Sequence, residues 1–173
     1  MTIRTTPIDG LFIVEPTVFR DDRGYFYESF NQQKWQEATG LDTKFVQDNQ
    51  AKSTKGVLRG LHFQKADFAQ AKLVRCLMGS VYDVAVDLRP DSPTYKQWYA
   101  LELSAENHVQ LFIPRGFAHG YLVLTDSATF AYKCDNYYHK AAESGMRYDD
   151  PSVGIEWPKM ESGYLLSEKD LGW

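Results

Sequence analysis

Cysteine is scarce in this sequence: only Cys76 and Cys134 occur in 173 residues. Both sit in apolar or aromatic strand-like runs without the spacing of a disulfide-stapled small domain, so buried free thiols in a reducing compartment are expected. Positive charge is not in excess either. A net charge of −4 and a pI near 5.5 exclude a protein that holds nucleic acid by broad phosphate neutralisation, while leaving a small anionic ligand open. No apolar run is long enough to span a bilayer, and the opening Met1-Thr2-Ile3-Arg4-Thr5-Thr6-Pro7 lacks the apolar centre of a signal peptide. No membrane partner and a cytoplasmic location are expected. Helical patterning is also sparse. The one convincing segment runs from Gln32 to Thr39, with Asn31 placed as N-cap and Gly40 placed for a left-handed C-terminal turn.

What is abundant is aromatic and β-branched. Eleven tyrosines and ten phenylalanines accompany many short strand-like runs separated by turn residues, the mark of an all-β barrel or sandwich. The length and the 43% hydrophobic content fit one domain over residues 1–173 with a substantial core. The clearest strand pair is Lys72–Leu77 and Val81–Arg89 about a turn at Met78-Gly79-Ser80. In the second run Tyr82, Val84, Val86 and Leu88 fall on one face and Asp83, Ala85 and Asp87 on the other, so one face packs and the other offers carboxylates. Other strand candidates are Leu11–Val14, Tyr25–Phe30, Val57–Phe63, Trp98–Leu103, Val109–Ile113, Gly120–Leu124 and Thr129–Lys133. Strands so spaced, without intervening helices, predict an antiparallel jelly-roll barrel with a few short peripheral helices.

The stretch Ile113-Pro114-Arg115-Gly116-Phe117-Ala118-His119-Gly120 carries the P-x-G-x-x-H spacing of the second cupin motif. Pro114 and Gly116 make a tight corner that delivers His119 to the start of the next strand. A cupin metal site would also need an H-x-H pair and a carboxylate. Around His62 the chain reads Arg59-Gly60-Leu61-His62-Phe63-Gln64, with glutamine in the place of the second histidine, and His108 and His139 lie in other settings. No metal and no other cofactor are therefore expected, and acid–base chemistry comes forward instead.

Taken together, the runs Gly56–Gln64, Gln70–Arg75, Asp83–Arg89, Leu103–Asn107, Ile113–Gly120 and Leu166–Asp170 resemble the dTDP-4-dehydrorhamnose 3,5-epimerase family over nearly the whole chain. The resemblance implies a cupin-type barrel acting on a dTDP-linked 4-keto-6-deoxy sugar. A proton beside a ketone becomes removable when a base is held next to it and the enolate oxygen is stabilised. Inversion then requires reprotonation from the opposite face. By the resemblance His62 is the base, Asp170 its orienting carboxylate, Tyr132 the acid on the other face and Lys72 the cation at the C4 oxygen. Read alone, Ser167-Glu168-Lys169-Asp170 is a solvated helix start capped by Ser167, and Tyr132 is core filling. Asp83 is expected to pair with Lys72 and keep it charged.

The resemblance further implies that Arg23, Arg59, His119 and Lys169 meet the substrate, largely at its diphosphate. Glu28, Gln47, Asp48 and Asn49 would hydrogen-bond the nucleotide, Tyr138 would stack on thymine with Phe26 as a second wall, and Glu143 completes the set. Arg23, Phe26 and Glu28 would arrive on an N-terminal strand exchanged within a homodimer. One departure stands out, since Lys65-Ala66-Asp67-Phe68-Ala69 replaces a loop in which the family commonly has proline. Two other functions remain: a monoepimerase inverting C3 or C5 alone, which would share every residue named here, and a non-catalytic sugar-binding cupin, which would be expected to lose the base or the acid first.

Overall fold

The computed structural model describes all 173 residues. Two antiparallel sheets face each other. The first, six-stranded, contains β1 (Thr2–Thr5), β2 (Phe12–Glu15), β5 (Gln47–Thr54), β7 (Lys72–Met78), β10 (Gln110–Ile113) and β12 (Ser127–Cys134) in the order β1-β2-β10-β7-β12-β5. The second contains β6 (Leu58–Gln64), β8 (Ser80–Asp87), β9 (Trp98–Ser104), β11 (Phe117–Val123) and β13 (Glu143–Gly145) in the order β13-β6-β11-β8-β9. This is the expected all-β, cupin-type jelly roll. Its helices are short and peripheral: α1 (Gln32–Thr39), α2 (Glu168–Leu171) and two single 3-10 turns. A separate hairpin, β3 (Phe19–Asp21) with β4 (Gly24–Phe26), pairs with neither sheet.

The helix α1 forms where its caps require. Asn31 Oδ1 accepts from the Lys34 amide, and Gly40 takes φ +72° and donates to the Gln36 carbonyl. Trp35 is the residue that α1 buries, against Val14, Ala71, Leu73 and Phe112 on the outer face of the six-stranded sheet. Truncating such a residue to alanine typically costs about 3–5 kcal/mol.

The pairing of Lys72–Leu77 with Val81–Arg89 is corrected by the structure. β7 and β8 belong to different sheets, so the turn between them is a corner and not a hairpin. Gly79 is what permits it. At φ +73° a Cβ there would stand 2.2 Å from the Ser127 carbonyl oxygen, a space no side chain can enter. The run Tyr25–Phe30 is corrected as well, because the strand stops at Phe26.

The period-two reading of β8 holds. Val84 and Val86 pack outward with Leu61 and Ala118 beneath the C-terminal segment of Ile155 and Trp157, whereas Ala85 faces the core between the sheets. Asp87 does not reach a cavity, since it accepts from Arg89, Ser92 and Thr94. The core holds Leu11, Ile13, Val74, Leu111, Tyr121 and Phe130 among others. Along the strands the inward faces turn polar: β7 passes from Val74 to Lys72, β12 from Phe130 to Tyr132 and β11 from Tyr121 to His119. That change of chemistry leaves a polar cavity at one end of an apolar barrel. Cys76 and Cys134 are buried free thiols, as expected. No helix is long and apolar enough to cross a membrane.

Candidate active site

The cavity has an outer part of about 160 Å³ and a deeper part of about 140 Å³, and His62, Lys72 and Tyr132 line both. Gln47, Asn49, Tyr138 and Glu143 line the outer part, and Arg59 and His119 the deeper one. His62 projects from β6 in one sheet, whereas Lys72 and Tyr132 project from β7 and β12 in the other. A Cβ on Gly60 would lie 2.6 Å from the Gly120 Cα, so only glycine allows β6 and β11 to close at this point. There His62 is paired in register with His119.

His62 Nε2 donates to Asp170 Oδ1 at 2.5 Å. Asp170 is 3% exposed, and its second oxygen accepts from the Ser167 hydroxyl at 2.7 Å. Both sequence readings of this segment are therefore realised in part. Ser167 does cap α2, accepting from the Asp170 amide, but the helix start is not solvated at Asp170, whose side chain faces the barrel. With Nε2 carrying the proton, Nδ1 keeps the lone pair that a base needs. Burial lowers the imidazole below its ordinary value, and the Asp170 charge opposes this. The ring is thus neutral at neutral pH. Trp173 meets it edge-on at 6.3 Å between centroids.

Burial pushes the Tyr132 hydroxyl up to about 12, so the phenol keeps its proton across the physiological range. Burial lowers Lys72, while Cys134, Asp83 and Glu143 pull the other way; its ammonium also lies 5.9 Å from the Tyr132 ring centroid. The expected Asp83–Lys72 pair is corrected. Asp83 Oδ1 instead accepts from His119 Nε2 at 2.8 Å inside the barrel, because β8 and β11 are adjacent strands whereas β7 lies in the opposite sheet. Asp83 reaches Lys72 only through its charge, and its Oδ2 has no partner.

At the mouth, Glu143 accepts from Tyr138 Oη at 3.0 Å and from Lys169 Nζ. Burial alone would raise this carboxyl, but those two partners hold it below the usual range. Arg59 Nε donates to Ser53 Oγ at 3.0 Å. Four of the expected residues are not gathered here. Asp48 points out of the barrel and pairs with Lys133 at 3.0 Å, because alternation along β5 turns it opposite to Gln47 and Asn49. Arg23 has a 90% exposed side chain paired with Asp21, Phe26 is 70% exposed, and Glu28 is held by Lys34 and Asn31. Gln64, Ser53 and Trp173 join the site without belonging to the set that the family likeness implies. Only Gln64 carried a signal, by standing where a metal cupin needs histidine. No group of three His, Cys, Asp or Glu side chains is placed to hold a metal ion.

A neutral imidazole backed by a carboxylate, an un-ionised phenol in the facing sheet and an ammonium beside them suit the inversion of carbon centres next to a carbonyl. The protein is thus of the epimerase class, on a cupin-type barrel. Comparison with known proteins makes this particular. The chain belongs to the dTDP-4-dehydrorhamnose 3,5-epimerase family, whose model it matches over residues 5–173. It is 54% identical to the dTDP-4-dehydrorhamnose 3,5-epimerase of Shigella flexneri over 171 residues, covering 99% of this chain and 93% of the relative. The crystal structure of dTDP-4-dehydrorhamnose 3,5-epimerase from Elizabethkingia anophelis NUHP1 matches with a TM-score of 0.94 at 55% identity, over 98% of this chain and 93% of that one. A third relative, the dTDP-6-deoxy-D-glucose-3,5-epimerase of Legionella pneumophila Philadelphia 1 in complex with dTDP-4-keto-L-rhamnose, gives a TM-score of 0.95 at 50% identity, over 99% of this chain and 90% of that one.

Proposed function

We propose that the protein inverts C3 and C5 of dTDP-4-dehydro-6-deoxy-D-glucose to give dTDP-4-dehydro-L-rhamnose, with His62 as base and Tyr132 as acid. The observation that carries this reading is that the two side chains line one cavity from opposite sheets. His62 Nδ1 removes the proton beside the C4 ketone, and Asp170 stabilises the imidazolium that forms. Lys72 stabilises the enolate oxygen; removing such a donor typically costs about 3–4 kcal/mol in the barrier. Tyr132 returns a proton to the other face of the ring. His62 then gives its proton to solvent and Tyr132 regains one from solvent, and with both groups reset the same steps at the second carbon complete the double inversion.

Arg59 is a cation for the diphosphate, His119 and Lys169 are further donors to the substrate, and Gln47, Asn49, Tyr138 and Glu143 frame the nucleotide. Arg23, Phe26 and Glu28 join them from a partner subunit in a homodimer with exchanged N-terminal strands. The exposure of Phe19, Tyr25 and Phe26 on a hairpin outside both sheets supports that reading. The free thiols favour a reducing, cytoplasmic setting. A binding-only cupin would not need the base and acid held as they are here.

Deuterium uptake from D2O into dTDP-4-keto-6-deoxy-glucose, read by NMR at C3 and C5, tests the function. Exchange at both carbons with inverted product, abolished by His62→Ala, is expected. Exchange at one carbon would make the protein a monoepimerase, and none would leave it a binding protein.

A further inference from the structure

We infer that Gln64 is a positioning residue: it rivets the 65–69 loop to the 136–139 segment and so fixes Tyr138 at the mouth of the cavity. The inference rests on the reading of Tyr138 as a wall for the nucleotide base.

Gln64 follows His62 on the inward face of β6 and is 7% exposed. Its Nε2 donates to the Phe68 carbonyl at 2.7 Å and to the Tyr137 carbonyl at 3.2 Å, and its Oε1 accepts from the His139 amide at 2.6 Å. Both N–H groups and the carbonyl of the side chain are thus engaged with backbone. The intervening Tyr138 amide donates to Gln47 Oε1 at 2.9 Å. Backbone groups of 137, 138 and 139 are in this way held by side-chain amides, in a stretch that follows the end of β12 and belongs to no strand. The 65–69 loop takes part from the other side. The Asn136 side chain donates to the Asp67 carbonyl at 2.9 Å, Gln70 Nε2 donates to the Asn136 carbonyl at 2.7 Å, and the Phe68 ring stacks on His139 at 3.9 Å between centroids.

This gives a role to the position at which a metal cupin would carry its second histidine. An imidazole has two ring nitrogens and could not make these three bonds at once. It also ties the unusual 65–69 sequence to the presentation of one aromatic ring. Changes in that loop would then be read out as changes in nucleotide affinity, with the proton-transfer groups untouched.

The test compares Gln64→Met, Tyr138→Ala and the double variant, measuring the dissociation constant for dTDP by calorimetry together with kcat and KM. Gln64→Met is expected to weaken dTDP binding about tenfold and raise KM alike, with kcat changed less than about threefold. The double variant is expected to bind no more weakly than Tyr138→Ala, since Gln64 acts through that ring. A purely structural role would lower kcat or stability without this non-additivity. Wild-type affinity in Gln64→Met, or additive losses in the double variant, overturns the inference while leaving the Tyr138 wall in place. Wild-type affinity in Tyr138→Ala removes the wall and the inference with it. If Gln64→Met does not fold, Phe68→Ala, on the exposed side of the loop, replaces it in the same cycle: weaker, non-additive dTDP binding supports the inference, and unchanged binding overturns it.

Discussion

Replacing Asp170 by Asn isolates the charge behind the base. The amide has nearly the shape of the carboxylate and can still accept from Ser167, so the fold around α2 is retained. What is lost appears when His62 takes the substrate proton. The imidazolium then lies with its charge roughly 4 Å from that of a carboxylate hydrogen-bonded at 2.5 Å, an attraction of about 4 kcal/mol at the effective dielectric of such pairs. That corresponds to about a thousandfold in the abstraction step. The asparagine amide can also offer an N–H to Nε2, which would move the ring proton to Nδ1 and close the base. Deuterium exchange at C3 and C5 under saturating substrate is the assay, with a thermal midpoint close to that of the wild type. The pH profile supplies a second sign. In the wild type His62 titrates below 6.5 because burial prevails over the Asp170 charge; without that charge burial is unopposed, so the acid limb of kcat/KM moves further down. Exchange within tenfold of wild type, or an acid limb moving up, would falsify the assignment of the pair.

Two further perturbations address the cation in the cavity and the contact that seats the C-terminal segment. Lys72→Met is expected to lower kcat by about 10²–10³, with stability unchanged or raised because a buried charge is removed. As burial sets Lys72 below 10.5 and Tyr132 near 12, the wild-type alkaline limb should fall below pH 10.5 and be absent from this variant; its persistence would exonerate the lysine. Gly145→Ala would place a Cβ 2.3 Å from the Trp173 ring, an overpacking of about 1–3 kcal/mol. It should displace the segment that presents Asp170 and depress exchange more than stability, and Trp173→Ala in the same chain should restore the fit; no loss of exchange would show that the Trp173 contact does not hold the dyad.

The architecture was readable where local chemistry and tertiary role agree. The α1 boundaries follow from Asn31 and Gly40, and the two faces of β8 follow from simple alternation. Strand β5 escaped because Gln47-Asp48-Asn49-Gln50-Ala51-Lys52-Ser53-Thr54 has almost no β-branched or aromatic residues. It is polar on both sides because one side faces the cavity and the other faces outward. The Gly79 corner reads as a hairpin in sequence because a glycine turn between two apolar runs looks the same whether the chain returns to its own sheet or crosses to the other. Within the site, the His62–Asp170 pairing came from family likeness and not from pattern, since nothing in Ser167-Glu168-Lys169-Asp170 distinguishes a capped surface turn from one that buries its last carboxylate. For Asp83 the sequence pattern specifies the face but not the partner, His119 in place of Lys72, because alternation assigns faces and says nothing of which strand lies alongside.

The two halves of the base are 108 positions apart in sequence. Joining them closes a loop that encloses most of the barrel, and a contact of such long range forms only after the entropy of that closure has been met. The sheets themselves are closed by pairings of nearly the same reach, Val14 with Gln110 and Gln47 with Cys134, so the base is completed together with the barrel. On refolding from denaturant, isotope exchange should return together with the far-ultraviolet signal of the strands, which makes turnover a reporter of the whole assembled barrel and not of any local element.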